Sequence, residues 1–210
     1  MNPATARLSG RPARARVRRR RLVAGLAVLG LAAVVGAAAV GLGPLGDAYR
    51  EIVLPLRHDD IIRQQATEKD LDPALIAAVI YEESRFRDQT SNAGARGLMQ
   101  ITPDTADFIA RRSGGTRFVH QDLATPQINV AYGSWFLRYL IDHYGGNETL
   151  AVAAYNAGVS NVDRWVEEAG GAEAFETARH VPFPETREYV DNVAESRESY
   201  RRHHGADLGL

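Results

Sequence analysis

The sequence predicts an all-α domain, and three observations carry that expectation. Helix starts recur in one form, an N-capping residue followed by proline at the first helical position: Asp72-Pro73, Thr102-Pro103 and Thr125-Pro126. Glycine pairs stand where helices should stop, at Gly114-Gly115, Gly145-Gly146 and Gly170-Gly171. No alternating apolar–polar run of useful length and no internal repeat interrupts this pattern. With 210 residues, 45% of them hydrophobic, the chain suits one folded domain plus a short appendage.

The appendage comes first. Residues 1–21 form an Arg-rich segment whose charged groups are all arginines: Arg7, Arg11, Arg14, Arg16 and Arg18 to Arg21. Residues 22–43 (LVAGLAVLGLAAVVGAAAVGLG) contain no charge. At about 1.5 Å per residue they span a hydrocarbon core of roughly 30 Å, so a transmembrane helix acting as signal anchor is expected. The arginines should stay cytoplasmic, placing the remainder outside. A cleaved signal peptide, cut near Ala37-Ala38-Ala39, is the competing reading. The apolar run exceeds the roughly 7–15 residues of a signal core, which favours the anchor. Residues 44–58 read as a juxtamembrane connector, with Pro55 preventing a continuous helix.

The domain itself is expected over residues 59–204, followed by a tail at 205–210. Helical spacing begins with Ile61, Ile62, Ala66 and Leu71. The helix from Pro73 carries Leu75, Ile76, Val79 and Ile80. The one from Pro103 should reach Gly114, and the longest runs from Pro126 to Gly145. Asn147 caps a short apolar helix broken at Gly158, and Ser160 can cap another ending at Gly170. After Pro182 and Pro184 a final amphipathic helix is expected over 186–203. The total is seven or eight helices.

Composition removes several function classes. The net charge of −1 hides a segregation, because from Asp47 onward there are 17 basic and 26 acidic residues. An acidic domain argues against a nucleic-acid partner, since phosphate binding needs a basic face. There is no cysteine, so disulfides, thiolate nucleophiles and Cys-type zinc sites are excluded. His58, His120, His143, His180, His203 and His204 show no ligand spacing such as HExxH, so neither a metal nor another cofactor is expected.

Chemistry concentrates between Tyr81 and Thr105, YEESRFRDQTSNAGARGLMQITPDT. Glu82 and Glu83 end the apolar run, with Glu82 in line with Leu75 and Val79, and Glu83 in line with Ile76 and Ile80. Periodicity alone does not choose between them, and an exposed pair at a helix end is the commoner arrangement. Phe86 can wall an acid with apolar surface, which raises a carboxyl's pKa. The small-residue loop from Ser91 to Gly97 leaves room for a polymer, and Gln100 suits hydroxyl and acetamido groups. Trp135, Phe136 and Trp165 lie on apolar helix faces and read as core, as Tyr155 does on spacing alone.

Three segments together resemble the soluble lytic transglycosylases, relatives of goose-type lysozyme. They are Glu83-Ser84 with GLMQI, Pro103 and Thr105-Ala106; AYNAG at 154–158 with Val162; and Pro184-Glu185-Thr186-Arg187 with Tyr189-Val190. The resemblance covers roughly residues 55–200. It implies a lysozyme-like α domain acting on the glycan strands of bacterial peptidoglycan, with no cofactor. It assigns catalysis to Glu83 and leaves Glu82 a bystander. It implies a cleft lined by Ser84, Ser91, Met99, Gln100, Tyr155, Asn156, Glu185 and Tyr189. Thr102 stands where the family often has a second methionine. The implied reaction is non-hydrolytic and ends in a 1,6-anhydro sugar. A hydrolytic muramidase would instead need Asp104 or Glu185 to activate water, and a non-catalytic glycan-binding module would need neither. Protein partners are not legible.

Overall fold

In a computed structural model of the chain, residues 53–114 and 117–210 are described. The expected Arg-rich segment, the apolar segment and most of the connector lie outside them. Leu54–Leu210 forms one unit. Among the described residues there are eight α-helices: α1 Asp59–Lys69, α2 Pro73–Ser84, α3 Pro103–Ser113, α4 Pro126–His143, α5 Glu148–Ala157, α6 Val159–Ala169, α7 Thr177–His180 and α8 Pro184–Leu208. A 3-10 helix, His120–Ala124, precedes α4. No strand is present among them, only isolated bridges joining Thr90 to Arg96 and Arg96 to Ile101.

α2 is the axis of the domain. Every residue from Ala74 to Ile80 is buried, as expected for a helix that is apolar on all sides. Asp72 caps it by accepting from the Ala74 N–H at 3.0 Å. α8 lies along α2 in the most extensive helix–helix packing of the domain, and α4, α5 and α1 complete the core. Thr102 and Asn147 cap α3 and α5 as expected, accepting from the backbone of Thr105 and Leu150.

Other ends differ from expectation. Thr125 makes no side-chain cap, because it already closes the 3-10 helix. Gly158 rather than Ser160 starts α6, and Ser160 lies within its first turn. α8 begins two residues early at Pro184 and runs on to Leu208, through a non-helical residue at His204. Buried Leu208 explains the extension, since its packing draws the last turn onto the domain. Trp165 is core as expected, whereas Trp135 and Phe136 are only partly buried.

The chain entering the domain is tied to the far end of α8. The Tyr200 hydroxyl donates to the Pro55 carbonyl at 2.6 Å, and His204 Nε2 bonds the Leu54 carbonyl at 2.9 Å.

Candidate active site

The end of α2 reverses sharply. Arg85 and Phe86, the next two residues, both adopt left-handed backbone, with φ of 52° and 59°. Non-glycine residues rarely do so, and such conformations cluster where surroundings over-determine them. Here Phe86 is 2% exposed and packs against Tyr200 at 6.0 Å between ring centroids. The turn sends the chain back over α2 and leaves Glu83 facing α8.

Tyr189 of α8 donates its hydroxyl to Glu83 Oε1 at 2.6 Å. Burial pushes the Glu83 carboxyl up from 4.5 to about 7; the Tyr189 hydrogen bond opposes this and the neighbouring Glu82 charge adds to it. Tyr155, at the end of α5, donates to the Met99 carbonyl at 2.9 Å. Burial and then the Glu83 charge hold the Tyr155 and Tyr189 hydroxyls well above their ordinary value. Both therefore remain donors. A carboxyl that titrates near neutrality can give a proton and take one back.

The loop from Gln89 to Ile101 is pinned over this acid from below. Ser84, 4% exposed, donates to the Leu98 carbonyl at 2.7 Å. Asn129, 1% exposed on α4, accepts from the Met99 N–H at 2.8 Å and donates to the Arg96 and Leu123 carbonyls. Gly97 (φ 79°) and Gly133 make the close approach possible. A Cβ on Gly97 would lie 2.2 Å from the Asn129 amide, and one on Gly133 would lie 2.3 Å from Met99 Sδ.

The expected site residues thus divide by placement. Glu83, Tyr189 and Tyr155 converge, and Met99 joins them through its backbone carbonyl while its side chain is fully buried. Ser84 is a buried pin between helix and loop. Ser91 Oγ closes the loop by accepting from the Ala95 N–H. Gln100, at φ 46°, turns its amide onto the Gln89 and Gly97 carbonyls. Asn156 is exposed at the end of α5, and its Oδ1 accepts from buried Thr186 at 2.8 Å. Glu185 is exposed in the first turn of α8.

Sequence reasoning missed Asn129 and Gly133, and it named Thr186 only as part of the third motif, with no role. A polar residue and a glycine on the buried side of an apolar helix were the available signals for the first two. Glu82, which the resemblance leaves outside the catalysis, does not turn into solvent. Its side chain is 7% exposed, and Oε1 accepts from Ser196 of α8 at 2.7 Å.

An all-α domain with one partly buried, readily protonated glutamate under a glycine-containing loop belongs to the lysozyme-like class. Residues 60–177 match the family described as Transglycosylase SLT domain, and the chain belongs to that family. It is 34% identical over 164 residues to the soluble lytic murein transglycosylase of Salmonella typhimurium, covering 77% of this chain and 25% of that protein. Among solved structures it resembles an inactive mutant of the lytic transglycosylase Slt from Pseudomonas aeruginosa, with 31% identity, TM-score 0.67, and coverage of 75% and 26%. It also resembles the 70-kDa soluble lytic transglycosylase in complex with bulgecin A, with 30% identity, TM-score 0.69, and coverage of 75% and 26%. The chain spans about a quarter of the length of these relatives.

Proposed function

We propose that the protein is a peptidoglycan lytic transglycosylase using Glu83 first as acid and then as base. The observation that carries this reading is the Glu83 carboxyl itself, largely shielded from solvent, bonded to Tyr189 and pushed up by burial to about 7. Protonated Glu83 donates to the oxygen of the β-1,4 bond between N-acetylmuramic acid and N-acetylglucosamine, and the bond to the muramic C1 breaks. The substrate's acetamido group stabilises the cation that develops. Ionised Glu83 then takes the proton of the muramic 6-hydroxyl as that oxygen bonds to C1. The products are a 1,6-anhydro end and a free 4-hydroxyl, with no water consumed. One carboxylate suffices, unlike the usual two-acid scheme. Asn156, Gln100, Ser91 and Glu185 are proposed to face the glycan.

Mass spectrometry of digested peptidoglycan tests the reaction. Anhydro-muropeptides from the wild type and none from Glu83→Gln are expected. Undiminished release by the variant would overturn the assignment, and reducing ends would make the protein a muramidase. Because Glu83 must be protonated to act, activity should fall as pH rises through about 7.

The proposed location is the cell membrane, with the domain on the extracytoplasmic side, where peptidoglycan lies. Uncharged residues 22–43 and the preceding arginines support it. Among the described residues no helix is long and apolar enough to cross a membrane. Retention of the chain in the membrane fraction after carbonate washing is expected, and release into the wash would refute anchoring.

A further inference from the structure

The two glutamates at the end of α2 are held by the same face of α8. Tyr189 reaches Glu83 and Ser196 reaches Glu82, at 2.6 and 2.7 Å. They are seven residues apart, two helical turns, and so point the same way. Ser196 is itself 8% exposed. The second oxygen of Glu82 lies 3.5 Å from the Arg85 guanidinium, which is half exposed and rests 3.7 Å above the Tyr81 ring. Both partners of Glu82 are hydrogen-bond donors, and its oxygens accept from them. An ordinary glutamate beside an acid at a helix end would turn into solvent, and this one is drawn in by a side chain 114 residues away.

We propose that Glu82 is a positioning residue of the reaction: clamped by Ser196 and Arg85, it is a fixed negative charge beside Glu83 that favours the protonated acid and sets the upper pH limit of activity. The inference rests on Glu83 being the catalytic acid. A like charge at this range disfavours ionisation of its neighbour, and the Glu82 charge acts on Glu83 in that direction. The other groups facing the pair are Tyr189 and Tyr200 from α8, Tyr155 from α5, Tyr81 on α2 and Arg85 at its end. Among them only Arg85 carries a positive charge, and it rests at the outer edge. Ser196 keeps Glu82 on the inner side, so that Arg85 offsets its charge only in part.

The test is the pH dependence of kcat/KM for the full chain on one peptidoglycan preparation, with product release read by mass spectrometry. Glu82→Gln keeps the shape and the Ser196 hydrogen bond but removes the charge. Its alkaline limb should move to lower pH by roughly half a unit to one unit. Ser196→Ala leaves the charge but frees it to turn outward, so a smaller shift in the same direction is expected. If Glu82→Gln does not fold, as judged by its melting transition, the alanine variant alone decides. A limb that stays in place, or moves up, overturns the proposal, even where kcat or stability falls, since that would be a structural role. This failure is distinct from that of the function, which is decided by Glu83→Gln.

Discussion

Between its ordinary value of 4.5 and the value near 7 that burial gives it, Glu83 is protonated in the folded chain and ionised in the unfolded one. The unfolded state binds fewer protons there, so stability declines as pH rises through this window and stays reduced above it. Glu83→Gln removes the titration. The variant should be more stable than wild type by on the order of 1–3 kcal/mol at pH 8, with the gap closing near pH 4. Urea unfolding at the two pH values measures this, and equal gaps would show that burial of the acid is not the cause. Tyr189→Phe should act oppositely on activity. Loss of the hydroxyl removes the bond that favours the ionised form, so the alkaline limb moves up while kcat drops as the carboxyl loses its orientation. At this scale the sequence was only half legible. Helix spacing left Glu82 and Glu83 equivalent, because what separates them is which hydroxyl of α8 each meets, and no local pattern encodes that.

At the scale of elements, the loop over the acid is held by α4 as well as by its own hydrogen bonds. Asn129→Ala would leave the Met99 N–H without its partner and take one donor from each of the Leu123 and Arg96 carbonyls, the latter keeping the Ile101 N–H. About 2–4 kcal/mol of destabilisation is expected, measurable as a lowered midpoint in urea. Gly133→Ala drives a methyl into Met99, so about 1–3 kcal/mol is expected from overpacking. Since the Met99 carbonyl also receives Tyr155, kcat should fall with it. Unchanged kinetics in a destabilised Gly133→Ala would separate the loop's packing from the chemistry. Helix starts at Asp72-Pro73 and Thr102-Pro103 were legible because cap and proline act within one turn. The 3-10 helix and the four-residue α7 were not, since such short pieces are set by what they pack against.

The whole domain is fastened at the N-terminus of α2. Asp72, 8% exposed, caps the helix and receives Arg197 and Arg201 of α8, while Arg197 also reaches Glu148 of α5 at 2.6 Å. Asp72→Ala loses the cap and both ion pairs to α8, leaving Arg197 with Glu148 and Arg201 with solvent. About 2–3 kcal/mol of stability should go, and a loss under about 0.5 kcal/mol would show the cluster to be incidental. The all-α class and the three motifs could be read from the chain because each rests on neighbouring residues. The joining of Asp72 to Arg197 and of Glu83 to Tyr189 could not, since these partners are 125 and 106 residues apart.

That last separation has a bearing on the protein's synthesis. Chains emerge from the ribosome with the N-terminal side first, so Glu83 and the loop around it are made well before Tyr189. Until α8 is complete and laid along α2, the acid lacks both its donor and one wall of its burial. A nascent or truncated chain therefore displays an ordinary, ionised surface glutamate. In the proposed reaction that glutamate has no proton to give at neutral pH. For that reaction the acid becomes competent only once α8 lies along α2.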